Sequence, residues 1–333
     1  MKCRKLPIRP GWTPNCARRS GSEPNAQRFR PTGIWGAVLL PVGYGDGIDL
    51  GALSDVVDSM CAAGLAGIYT NGTAGEFFNQ TEAEFDAITG LVAEKASAAG
   101  LPFQIGVSNS NPRLARERLK RVCSYGASAV QVTLPDWWPP NTDEQRRFLS
   151  GMAEAGQGMP LVLYNPPTAK ISLGVPDIAA LALEVPELVG VKVADGDDAW
   201  FAQRRDLLGP LSVFTPGHRI AHARPLGADG SYSNVACLSP RGAVRHWKMI
   251  ETEPEAARDL EMRFGTFMEE AVIPLAINRQ LSDAALDKLM AAAGGWAPIG
   301  PKLLWPYTGA TEEMVAAARA SALRHVPEMM SGQ

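Results

Sequence analysis

Eight apolar segments, each followed by a stretch with helical periodicity, constrain this chain more than any other feature. They span residues 36–42, 66–71, 102–107, 129–134, 160–165, 188–193, 211–215 and 230–235. Each is a continuous apolar run rich in β-branched residues, the pattern of strands buried on both faces. Thr81 and Glu84 read as a capping box that opens a helix carrying Phe85, Ile88, Leu91 and Val92. Thr142 and Gln145 read in the same way, and Asn111 with Pro112 starts a third helix, proline at its first position. Strict βα alternation implies a parallel sheet, and eight units predict an α/β fold closed into a (β/α)₈ TIM barrel over residues 34–238. An open doubly wound sheet would want a Gly-rich turn after the first strand, and residues 40–45 lack that spacing. Residues 239–330 read as helix only, periodic over 255–276, 282–293 and 311–324, a C-terminal helical region packed on the barrel.

The chain has 333 residues and a formal charge of −3, which gives no electrostatic case for nucleic acid or a membrane surface. No apolar run is long enough to span a bilayer. Cys3, Cys16, Cys61, Cys123 and Cys237 lie far apart with no CxxC pair, so they read as reduced thiols of a cytoplasmic protein. Residues 1–33 carry Lys2, Arg4, Lys5, Arg9, Arg18, Arg19, Arg28 and Arg30 against Glu23 alone. With no apolar h-region this is not a secretory signal. It reads as a disordered or mis-assigned tail, an organelle transit peptide being the alternative.

In a barrel, chemistry sits where strands end and βα loops begin. The second strand ends in Asn71, Gly72, Thr73, Ala74, Gly75 and Glu76, and the fourth in Pro135, Asp136, Trp137 and Trp138. The fifth ends in Tyr164, Asn165, Pro166 and Pro167, and the seventh runs into His218 and Arg219. The eighth holds Tyr232, Ser233 and Asn234. Lys192 interrupts an otherwise apolar sixth strand, and lysine is rarely buried unless paired or functional. Burial disfavours the ammonium charge, and an uncharged amine is a nucleophile toward carbonyls. The alternative is a strand-end lysine that reaches solvent or a carboxylate such as Asp195. Tyr164 offers a phenol that can shuttle protons, or a core ring with its hydroxyl at the surface. The glycine-rich loop at 72–76 offers backbone N–H groups that can cradle a carboxylate, or is simply a tight turn.

These pieces resemble the dihydrodipicolinate synthase / N-acetylneuraminate lyase family over about residues 33–327. Residues 72–76 are similar to its GTTGE loop and residues 164–167 to its YNxP motif. Residues 190–192 are similar to its GxK motif and residues 227–233 to its GGxGxIS segment. The resemblance implies that Lys192 forms an imine with a 2-oxo acid such as pyruvate, and that Tyr164 is the general acid/base. It implies that Thr73 hydrogen-bonds Tyr164, that the N–H groups of Thr73 and Ala74 hold the substrate carboxylate, and that Tyr232 offers its backbone carbonyl. It further implies a homotetramer built as a dimer of dimers, with neither metal nor organic cofactor.

Three departures argue against the family's namesake reaction. Ala169 stands where dihydrodipicolinate synthases carry an arginine, Trp138 where they carry a relay tyrosine, and Ala74 where they carry the second threonine. Indole donates but cannot relay a proton as a phenol can. Trp138 predicts a larger, more apolar mouth or a subunit contact, and the pair His218 and Arg219 predicts a grip on a carboxylate or hydroxylated tail. The expected activity is a class I lyase or aldolase joining or cleaving a 2-oxo acid and an aldehyde. The alternatives are a Schiff-base dehydratase or hydratase-aldolase on a sugar-acid or aromatic 2-oxo acid, and a non-catalytic barrel that binds 2-oxo acids. The tryptophan-rich loop is similar to that of hydratase-aldolases acting on benzylidene-pyruvates, and residues 75–78 resemble the GEFF of 5-dehydro-4-deoxyglucarate dehydratases.

Overall fold

A computed structural model describes residues 29–43, 45–193 and 196–330. Eight parallel strands close on themselves in sequential order: β1 (Gly33–Ala37), β2 (Gly67–Thr70), β3 (Phe103–Gly106), β4 (Ala129–Thr133), β5 (Leu161–Asn165), β6 (Leu188–Val193), β7 (Ser212–Thr215) and β8 (Gly230–Tyr232). The ring is sealed where β1 pairs with β8, Ile34 opposite Ser231. Glycine is required at this seam, because a Cβ on Gly230 would lie 2.2 Å from the Gly33 carbonyl oxygen.

Helices α1 (Leu50–Cys61), α2 (Glu82–Ala98), α3 (Pro112–Val122), α4 (Thr142–Ala155), α5 (Val175–Glu184), α6 (Asp198–Leu207) and α7 (Ile220–Leu226) return the chain between strands. After β8 come α8 (Val235–Leu238), α9 (Pro240–Thr252) and α10 (Pro254–Phe267). A π-helical turn (Met268–Val272) separates α10 from α11 (Ile273–Arg279), followed by α12 (Asp283–Gly294), α13 (Glu312–His325) and α14 (Pro327–Met330). The expected single helix over 255–276 is therefore interrupted; Pro274, inside the first turn of α11, has no N–H for the regular ladder.

The capping box of α2 forms as expected, with Thr81 and Glu84 exchanging hydrogen bonds. That of α4 lies one residue earlier than Thr142 and Gln145. Asn141 caps the Glu144 amide while Glu144 bonds back, and Gln145 turns inward to donate to the Pro140 carbonyl. Asparagine is as good a cap as threonine, and the glutamate one position earlier completes the reciprocal pair.

The first strand begins at Gly33 rather than residue 36, and residues 38–40 continue as buried chain past its end, Val38 still donating to the Tyr69 carbonyl at 2.9 Å. Arg30 pairs with Asp229 at 2.9 Å, and Asp229 also binds Arg204 at 2.8 Å and the Val213 amide at 3.0 Å. Residues 29–32 thus pack on the N-terminal end of the barrel, while the basic stretch at 1–28, most of the expected tail, lies outside the described residues. Among the described residues, no helix is long and apolar enough to cross a membrane.

Candidate active site

The loop after β2 is held by polar groups that leave the amides of Thr73 and Ala74 without an acceptor among the described residues. Asn71 adopts a left-handed conformation, φ 55°, which asparagine tolerates better than most residues. Its side chain is fixed by Thr70, Thr89 and Gln80, and Gln80 also donates to the Gly75 carbonyl at 2.7 Å. Glu76, at φ 52°, anchors the far end. Its carboxylate meets the Lys288 ammonium at 2.5 Å and accepts from the Leu304 amide at 2.8 Å, both side chains being buried. Lys288 also donates to the Lys302 carbonyl at 2.7 Å. Burial pushes the Lys288 pKa down, against the pull of Glu76. The last residue of the GTAGE segment is thus a staple to α12, a role its position in the sequence did not announce. Between these anchors the N–H groups of Thr73 and Ala74 donate to no protein acceptor among the described residues. Both residues line a cavity.

That cavity, about 240 Å³, opens at the C-terminal ends of the strands and holds Lys192. Lys192 and Tyr164 are register partners on β6 and β5, so their side chains leave the sheet side by side. The Lys192 ammonium lies 4.2 Å from the centre of the Tyr164 ring, 5.6 Å from that of Tyr69 and 5.7 Å from that of Tyr232. Three phenol rings thus lie within cation–π reach of one nitrogen. Lys192 makes no ion pair with any described residue, and Asp195, the alternative partner, lies outside them.

Tyr232 fills the barrel interior beneath the lysine, packed on Tyr69 and Phe214, and donates to Gln104 at 2.5 Å. Burial raises its pKa, and burial raises that of Tyr69 too, with the negative charge of Asp287 adding to it.

A second lobe of about 200 Å³ shares Thr73 and Tyr164 with the first. Its walls are Phe77, Phe78, Leu134, Ile171 and the polar groups of Thr133, Asp136 and Asn165. Ala169 lines it, so no guanidinium enters there. Lys170 does not substitute for one: its ammonium donates to the Trp137 carbonyl at 2.9 Å and its amide to Asp136 at 2.8 Å.

The expected hydrogen bond from Thr73 to Tyr164 is not formed, although both face the same space; such contacts often tighten only when substrate binds. Trp138 lines neither lobe and, like Trp137, is 80% exposed. His218 does line the first lobe, its ring nitrogen 2.9 Å from the Asn234 side-chain nitrogen and its amide donating to the Asn234 oxygen. Arg219 lines neither lobe and lies near Glu261, which accepts from the amides of Ala221 and His222 at the start of α7. A short 3₁₀ turn over Gly217–Arg219 separates the directions of the two neighbours. Asp283, Leu286, Asp287 and Met290 of α12 complete the first lobe with Met268 and Val272 of the π turn. The sequence signal for them was a carboxylate on the apolar stripe of a helix far downstream of the barrel.

A larger cleft, about 660 Å³, lies at the opposite end of the barrel near the starts of β6 and β7. It is lined by leucines, alanines and prolines with Arg30 as its charged group, and it offers no nucleophile. Chemistry, not volume, selects the Lys192 cavity.

Residues 30–282 match the dihydrodipicolinate synthetase family. The chain belongs to that family. It is an enzyme of the lyase class, of the aldolase type. An N-acetylneuraminate lyase of Citrobacter koseri is 25% identical over 249 residues, which is 71% of this chain and 83% of the relative. The fold is shared with YagE of E. coli K12, a prophage protein of the dihydrodipicolinic acid synthase family solved with pyruvate. That match has a TM-score of 0.78 and 19% identity, over 88% of this chain and 98% of the other. It is shared also with the 4-hydroxy-tetrahydrodipicolinate synthase of Methylacidiphilum fumariolicum SolV, with a TM-score of 0.78 and 21% identity, over 90% and 98%.

Proposed function

We propose that the protein is a class I lyase in which Lys192 forms an imine with a 2-oxo acid such as pyruvate, joining it to an aldehyde or releasing it from one. The observation that carries this reading is a lysine with no ion-pair partner among the described residues, set among three phenol rings beside two amides that lack acceptors there. A 2-oxo acid needs both halves of that arrangement. Its carboxylate takes the N–H groups of Thr73 and Ala74, and its carbonyl carbon is attacked by the Lys192 amine. Water leaves, and the resulting iminium remains cationic within reach of the same rings. The iminium withdraws electrons from C3, so a proton or an aldehyde can depart from C3 and leave an enamine. Tyr164, against the lysine, carries the proton that each step moves. Tyr232 supplies the ring beneath the nitrogen, and its backbone carbonyl ends β8 at the same rim.

The absence of an arginine at Ala169, with Lys170 tied to the preceding loop, supports a second substrate other than that of the family's namesake synthases. Assembly as a homotetramer suits Trp137 and Trp138, two large apolar side chains held outward on one loop. Borohydride reduction with pyruvate followed by peptide mass spectrometry tests the reading. A reduced adduct on Lys192 is expected, absent in Lys192→Ala. No adduct, or an equal one in the variant, removes the mechanism.

A further inference from the structure

α12 brings two carboxyls, Asp283 and Asp287, to the Lys192 cavity beside the apolar Leu286 and Met290. Leu286 and Met290 line the cavity beside Asp287, with Asp283 one turn earlier at the exposed start of the helix. Asp287 is half-buried at the cavity wall and makes no ion pair with the described residues. The groups that face it are Lys192 from β6, Cys237 from α8, Tyr69 from β2 and Asp283 from its own helix. The Cys237 thiol lies beside it and donates to the Ser233 carbonyl. Burial and then Asp283 push the carboxyl up to about 7, and Lys192 and the thiol offset only part of this.

Such a carboxyl costs stability, and a leucine would pack against Leu286 and Met290 more favourably. Within a substrate cavity the same group has a use. As an anion it accepts hydrogen bonds from hydroxyls, and as an acid it donates one. As an anion, with Asp283 at the rim, it repels a second carboxylate. Asn234 and His218, bonded to each other, line the same lobe and add polar groups for a hydroxylated chain.

We infer that Asp287 is a specificity-determining residue: it hydrogen-bonds a hydroxyl on the aldehyde half of the substrate and rejects an aldehyde half that ends in a carboxylate. The substrate class is then a 2-oxo acid whose far end is a neutral, hydroxylated chain. This deepens the imine reading of Lys192 and rests on it.

Condensation of pyruvate with D-erythrose, a neutral hydroxyaldehyde, is compared with condensation with succinic semialdehyde, which ends in a carboxylate. The wild-type enzyme should favour erythrose in kcat/KM. Asp287→Leu should lose about tenfold or more on erythrose, chiefly through KM, and narrow or reverse the preference. Asp287→Asn, which keeps the shape and one acceptor, should retain part of the preference and lose any change in KM for erythrose near pH 7. Borohydride trapping of pyruvate on Lys192 should persist in both variants. Normal trapping with an unchanged preference in Asp287→Leu and Asp287→Asn overturns this inference alone. Failure of the wild-type protein to trap pyruvate overturns the imine reading and takes this inference with it.

Discussion

Replacing Asp287 by asparagine should make the protein more stable at pH 8, with a gain that shrinks as the solution is acidified. In the folded chain burial and Asp283 hold the carboxyl up to about 7, whereas an unfolded chain ionises it near ~3.9. Below about pH 4 both states carry the proton, and the substitution changes little. Between there and about 7 the unfolded chain releases a proton that the folded chain keeps, so rising pH favours unfolding. Above about 7 the cost is complete. At ~1.4 kcal/mol per pH unit the full cost is on the order of 4 kcal/mol, and water reaching the cavity reduces it to about 2–4 kcal/mol. Asparagine has nearly the same shape, so little packing is lost. In a chain of this length the gain corresponds to roughly 3–6 °C in Tm. Calorimetric melts of both proteins at pH 8 and pH 5 measure it, and the difference at pH 5 should be less than half that at pH 8. Equal stability at pH 8, a less stable variant, or a gain independent of pH would refute the reasoning.

Two further substitutions separate the chemistry from the scaffold. Tyr164→Phe should lower turnover by about 10²-fold or more with the fold intact, measured by steady-state kinetics beside circular dichroism; unchanged turnover would take Tyr164 out of the mechanism. Glu76→Gln should cost about 3–5 kcal/mol in urea melts, because it leaves the buried Lys288 ammonium without its counter-charge. The double variant Glu76→Gln with Lys288→Met should recover most of that loss, since no buried charge then remains unpaired.

The barrel was legible because strands buried on both faces must read as apolar runs, and eight of them leave little choice of topology. Lys192 was legible for the same reason, as a charge inside such a run. Strand ends were blurred by a few residues. Strand β1 ends at Ala37 although apolar chain continues past it, since hydropathy records burial and not pairing. Side-chain direction was beyond the sequence. His218 reaches the cavity and Arg219 does not, and a 3₁₀ turn over three residues makes that difference. Trp138 was expected at the mouth or at a subunit contact, and it points outward, lining neither lobe. Asp287 and Lys288 were missed because they reach the loops of the barrel from a helix more than two hundred residues beyond Glu76 in the chain. Only the packing of α12 against the barrel makes Lys288 a staple and Asp287 a wall of the site. Tyr69, in mid-strand, reads as ordinary core until the lysine above it is placed.

The central claim is that Lys192 takes the carbonyl of a 2-oxo acid while the amides of Thr73 and Ala74 take its carboxylate. A crystal structure of the protein soaked with pyruvate tests both halves at once. The account predicts continuous density from the Lys192 nitrogen to the second carbon of pyruvate, with the carboxylate within hydrogen-bond distance of both amides. Pyruvate bound away from Lys192, or lying in the cavity with no bond to it and its carboxylate on other groups, would contradict the account.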